Sequence, residues 1–168
     1  MHRAALFSPC RTFRWLLVRR WSDAPPVLFM GLNPSTADGR RDDPTSRRCI
    51  DFARRWGHGG LLLGNLYAYR ATKPPDLRAA GSPEGRHNRW WLQRAAEVSG
   101  RVVVAWGNDG HGPHSFRVAA GLPGVVCLGR TKRGAPRHPL YVRADTVPVP
   151  WSPPEDPSTG VPPESLSG

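Results

Sequence analysis

The stretch PPVLFMGLNPS, residues 25–35, decides how the rest of the chain is read. Pro25-Pro26 opens it, VLFMGL (27–32) is an unbroken apolar run of strand length, and Asn33-Pro34 ends it in a turn. A strand that is apolar at consecutive positions has to be covered on both faces, as in a parallel sheet. Three further runs of this kind follow: LLLGNLYAY (61–69) after Gly59-Gly60, RVVVAWG (101–107) and VVCLG (125–129). Helical patterns separate them. Asp43-Pro44-Thr45 is a helix start, and TSRRCIDFARRWG sets Cys49, Ile50, Ala53 and Trp56 on one face before Gly57 stops it. Helices are also expected near 88–98 and over 114–120, whereas the chain after Pro74-Pro75 reads as a Gly- and Pro-rich loop. This alternation predicts an α/β fold of three layers, αβα, around a mostly parallel four-stranded sheet.

Outward from that centre, residues 1–24 read as an extended segment or hairpin whose alternating arginines face solvent. Residues 1–144 are expected to form a single α/β domain. From Asp145 on, VPVPWSPPEDPSTGVPPESLSG offers little to bury, and 145–168 is expected to be a Pro-rich disordered tail.

The 168 residues suit one domain, and 24 basic against 13 acidic residues give a formal charge of +11. All the basic residues except Lys73 and Lys132 are arginines. Guanidinium forks match phosphate oxygens and release counterions on binding, so the charge points to a polyanionic partner. DNA is the first expectation, with RNA or a nucleotide as alternatives; a merely solvated arginine-rich surface is the competing reading. Cys10, Cys49 and Cys127 lie far apart without CxxC or zinc spacing, so neither a disulfide framework nor a structural zinc site is expected. Arginines interrupt MHRAALFSPCRTFRWLLVRRW, and no window approaches the apolar length of a membrane span. A cytoplasmic monomer with no membrane partner is the expectation.

In an open parallel sheet, ligands bind beyond the carboxyl ends of the strands. Gly31-Leu32-Asn33-Pro34-Ser35, Asn65, Trp106-Gly107-Asn108 and His138-Pro139-Leu140 all map to such ends. Each is weak alone. Asn33 is also a turn residue, Asn65 a residue that caps backbone at strand ends, and His138 a possible structural histidine. Trp15, Trp56, Trp90 and Trp91 read as packing residues rather than base platforms. Asp38, Asp42 and Asp43 either gather around Mg²⁺ or, as favoured here, bias the following helix and pair with arginines.

The segments LNPSTAD, DDPTSRRCIDFARRWG, NLYAYRAT, AWG and LGRTKRGAPRHPLY resemble a bacterial and phage family of unknown function marked by its NPSTAD motif, from about residue 7 to residue 143. More distantly, the motif order is similar to that of the uracil-DNA glycosylase superfamily. Gly31-Leu32-Asn33-Pro34 matches the Asn form of its first loop, Leu61-Leu62-Leu63-Gly64-Asn65 its base-reading strand, Trp106-Gly107 the end of its third strand, and His138-Pro139 its last loop. The resemblance implies that fold and a monofunctional N-glycosylase removing a deaminated or modified base without metal or organic cofactor. Asn33 and His138 would then be catalytic; Gly31, Leu32, Pro34, Ser35, Asn65, Trp106 and Gly107 would hold the substrate. Arg130, Lys132, Arg133 and Arg137 would clamp phosphates, and Leu140 or Tyr141 would wedge into the gap left by the base.

Three departures stand against a plain transfer. No aromatic residue directly follows the first motif, Leu-Tyr replaces a serine-containing repeat after His138-Pro139, and Asn33 replaces Asp. A non-catalytic nucleic-acid or nucleotide-binding module and a hydrolase of free nucleosides or nucleotides therefore stay open beside the glycosylase.

Overall fold

The computed structural model describes residues 1–71 and 73–154. Its strands are β1 (His2–Phe7), β2 (Arg14–Arg20), β3 (Val27–Gly31), β4 (Gly60–Asn65), β5 (Arg101–Val104), β6 (Val126–Cys127) and β7 (Val149–Pro150). The helices are α1 (Pro44–Arg55), α2 (Pro74–Ala79), α3 (Asn88–Val98) and α4 (Pro113–Ala120), with 3₁₀ turns at Asn108–Gly110 and Pro139–Tyr141. No helix among the described residues is long and apolar enough to cross a membrane.

The four apolar runs become β3, β4, β5 and β6, adjacent and parallel in the order β4-β3-β5-β6. The sheet nevertheless has seven strands rather than four, because antiparallel strands extend both sides: β2 and β1 beyond β4, and β7 beyond β6. Alternation along β3 explains the unbroken hydrophobicity. Val27 and Phe29 pack with Cys49, Ile50, Phe52 and Ala53 of α1, while Leu28 and Met30 join a cluster holding Leu92 and Ala96 of α3 and Val118 of α4. Helices thus cover both faces.

Local chemistry sets the ends of α1. Pro44 occupies the first turn, and the Asp43 carboxylate accepts from Ser46 N (2.8 Å) while the Ser46 hydroxyl accepts from Asp43 N (2.9 Å). Gly57 leaves the helix at φ +78°, where a side chain would be strained. Phe52 stacks on Trp56 at 5.1 Å, and Trp56 on Phe29 at 5.8 Å, locking helix to sheet. Gly64 serves packing too: a Cβ there would stand 2.5 Å from the Leu92 side chain, so its absence lets α3 approach β4.

Four expectations change. The chain after Pro74-Pro75 is not all loop, since α2 forms there and buries Leu77; prolines in a first turn pre-set helical φ. Strand β4 stops at Asn65, and the residues after it turn to bond β3's loop, Leu66 N to Gly31 O and Tyr67 N to Leu32 O. The arginines of β2 do not all face outward: Arg14 is 2% exposed and Arg19 0%, because residues 37–42 fold over them. Lastly, residues 145–154 pack instead of trailing away. β7 pairs with β6, and Trp151, 4% exposed, meets Trp106 edge-on at 5.2 Å. One tryptophan outweighs the prolines around it. The rest of the stretch read as a tail, 155–168, lies outside the described residues.

Truncating Trp151 to Ala removes a buried indole and its aromatic partner contact. Chemical denaturation should report a loss of about 3–5 kcal/mol, whereas a dispensable tail residue would leave the midpoint unmoved.

Candidate functional site

The strand order fixes where a site can form. From β3 the chain crosses through α1 to β4 on one side, then returns past β3 to β5 on the other, so connections diverge at the carboxyl ends of β3 and β5. A cavity of about 740 Å³ opens there, within the usual range of small-molecule sites. Gly31, Leu32, Asn33 and Ser35 line it from the end of β3, Asn65 from β4, Trp106 and Gly107 from β5, and Arg137, His138, Leu140 and Tyr141 from the last loop. Segments more than a hundred residues apart in sequence therefore meet around one space.

The β3–β4 register creates the closest approach. Gly31 pairs with Asn65, and a Cβ on Gly31 would stand 2.9 Å from the Asn65 side-chain oxygen position. Only glycine leaves the Asn65 amide its room. Asn65 is 3% exposed, and with its amide turned to satisfy its surroundings it donates to Gly64 O (3.2 Å) and Asn33 O (3.3 Å). Its NH₂ thus serves the backbone, and the carbonyl oxygen is its acceptor. Asn33 is held in a similar way, Nδ2 donating to Ala71 O (2.6 Å) and Pro34 O (3.1 Å). That leaves the Asn33 carbonyl oxygen as its acceptor.

His138 is half-buried and begins the Pro139–Tyr141 turn. Its Nδ1 accepts the Leu140 N–H at 3.2 Å. The neutral ring therefore carries its proton on Nε2, as a donor. Burial pushes the His138 pKa below the ordinary histidine value, with Asp43 pulling weakly the other way, so the ring is neutral at pH 7. Helix α1 holds this loop by Arg48, which donates to Pro139 O (3.3 Å) and Val142 O (2.5 Å). Gly107 ties in from β5: at φ +71° it donates to Pro136 O at 2.9 Å. The Thr131 hydroxyl bonds Asn108 Oδ1 at 2.7 Å, joining the same two loops.

Not every expected residue borders the cavity. Pro34 is buried beside it, lining an adjacent groove with Arg11 and Arg70. Trp106 lines the cavity but belongs chiefly to the core. Lys132 and Arg133 lie exposed on the turn where Thr131 N bonds Ala135 O (2.8 Å). Arg130 is exposed but engaged, donating to Ser152 O at 3.3 Å and lying over the Trp151 ring. Arg137 is the one of the four basic residues that lines the cavity. Leu140 and Tyr141 are exposed on its border, Tyr141 at 78%.

Sequence reading did not assign Arg14, Thr45, Asp109 or Thr131 to the site, although each lines the cavity. Asp43 lines it too, while serving as the cap it was read to be. Arg14 carried a faint signal, an arginine opening the apolar run RWLLV. Burial lowers its pKa to about 10, which leaves it protonated at neutral pH. Asp38, Asp42 and Asp43 do not gather around a cation. Asp42 pairs with Arg19 at 2.8 Å, Asp38 caps the Arg40 and Arg41 N–H groups, and no group of three possible metal ligands occurs among the described residues.

Tautomer and titration of His138 are directly measurable. Long-range ¹H–¹⁵N NMR should show Nε2–H and unprotonated Nδ1 at neutral pH, with a midpoint below about 6.5. As pH falls below that value the unfolded chain takes up a proton before the folded site does. This group should therefore reduce stability on acidification and have no such effect above the window.

A model of the family described as a protein of unknown function (DUF1643) matches residues 14–140, well over half of the chain. Comparison with curated proteins and with solved structures gives no match.

Proposed function

We infer the function from the cavity itself, because the chain belongs to the DUF1643 family, whose own function is unknown. The reading is a nucleic-acid-acting N-glycosylase of uracil-DNA glycosylase-like design, which takes a deaminated or modified base out of DNA and hydrolyses its bond to the sugar. One observation carries it: Asn33, Asn65 and His138, from three separate parts of the chain, line a single cavity.

Each group suits a part of that chemistry. In hydrolysis the C1′–N bond breaks, its electron pair leaves with the base, and a water oxygen bonds C1′ while its proton is released. His138, neutral with Nε2–H as donor, would stabilise the negative charge that develops on the base. The Asn33 carbonyl, oriented by the bonds of its NH₂, would hold the attacking water. It takes no proton as a carboxylate would, which favours a slow or selective enzyme. The Asn65 carbonyl would read an N–H on the edge of the flipped base. Leu140 and Tyr141 are exposed apolar groups placed to fill the vacated stack. Arg137, with Lys132 and Arg133 on the neighbouring turn, would meet phosphates of the strand.

Incubation with oligonucleotides holding uracil, hypoxanthine, 5-hydroxymethyluracil or mismatches should release a free base and leave an abasic site. His138→Ala and Asn33→Ala should each slow release by roughly 10²–10³. Salt-sensitive binding with no release from any substrate would overturn the enzyme and assign the cavity to non-catalytic recognition of a base or nucleotide.

A further inference from the structure

Two arginines of β2 are buried, and they differ in one respect. Arg19 has every guanidinium nitrogen engaged: Nε with Asp42 (2.8 Å), Nη1 with Val18 O (2.9 Å) and Ala4 O (3.3 Å), Nη2 with Asp38 O (2.6 Å) and Arg41 O (3.2 Å). It is what a structural buried arginine looks like in this fold. Arg14 makes one side-chain hydrogen bond, Nη1 to Ala37 O at 2.6 Å, and its Nε has no partner among the described residues. No carboxylate among the described residues pairs with it. The nearby Asp43 carboxylate is already committed, Oδ1 to Ser46 N (2.8 Å) and Oδ2 to Ala37 N (3.3 Å).

A buried cation left this incompletely bonded is costly unless something completes it. Arg14 borders the cavity, as does Thr45, whose N–H is the one left in the first turn of α1, since Pro44 has none, Ser46 N is taken by Asp43 Oδ1 and Arg47 N by Asp43 O. Asn33 and Ser35 line the same cavity.

We propose that Arg14 is the anion-binding residue of the cavity, receiving a phosphate oxyanion of the substrate, assisted by the start of α1. The proposal rests on the nucleotide reading above and narrows it: the substrate carries phosphate on the sugar whose base enters the pocket, and a bare nucleoside or free base is a poor ligand. Arg14 is a binding and specificity residue here, distinct from the surface arginines that follow a strand.

Calorimetric titration of the full chain at fixed low salt tests this with inorganic phosphate, deoxyuridine, deoxyuridine 5′-monophosphate and a short uracil-containing single strand. The monophosphate should bind at least about tenfold more tightly than the nucleoside, and phosphate should compete with it. A preference shared by monophosphate and strand assigns the site to a terminal phosphate, and one confined to the strand assigns it to an internal phosphodiester; both support the proposal. Arg14→Met should abolish the preference, whereas Arg55→Gln, on the last turn of α1, should leave it intact. Equal affinity of wild-type protein for nucleoside, monophosphate and strand overturns the proposal even if Arg14→Met fails to fold, as does a folded Arg14→Met that keeps the full preference. Base release without any phosphate preference would sink this proposal alone, and phosphate preference without base release would sink only the glycosylase.

Discussion

The close approach of Gly31 to Asn65 is the constraint from which the cavity follows. Parallel pairing of β3 with β4 puts these residues side by side, and only a residue without Cβ leaves the Asn65 amide its place. The bonds from that amide to Gly64 O and Asn33 O then tie the two strand ends together just where the chain leaves the sheet. Asn33 is fixed in turn by Ala71 O. Backbone carbonyls thus hold the NH₂ groups of both asparagines, which leaves the two amide oxygens as their acceptors.

The arginines of β2 are held differently. A basic residue near a polar cavity is ordinarily a mobile surface group, but here β2 carries two guanidinium groups inside the protein, and residues 37–42 are wrapped around them. Arg19 uses its full valence to hold that segment. That segment leads directly into α1, whose cap Asp43 borders the cavity. Net charge alone, spread over a surface, would not have given this division between a cation that builds and a cation that faces the site.

The central sheet was readable from composition along the chain. Unbroken runs such as VLFMGL and LLLGN have little choice but burial on two faces, and Asp43-Pro44 with Ser46 fixes the start of α1 by local chemistry. What escaped reading depends on long-range partners. The two-residue strand β7 carries almost no periodicity, and Val149–Pro150 looks like linker until Trp151 is seen against Trp106. Arg14 and Arg19 look like solvent-facing residues because most of the groups that enclose them lie 15 to 23 positions away. Within the site, the motif residues Asn33, Asn65 and His138 were legible as strand-end groups, while the direction of each amide and the tautomer of the ring came only from neighbours.

Helix α1 begins at one border of the cavity with Asp43 and Thr45, and four residues into its length Arg48 grips the backbone of the His138 loop. It works as a strut of fixed length between the two rims. A shift of the helix would therefore be passed to both rims at once, and Arg48 couples them without lining the cavity itself.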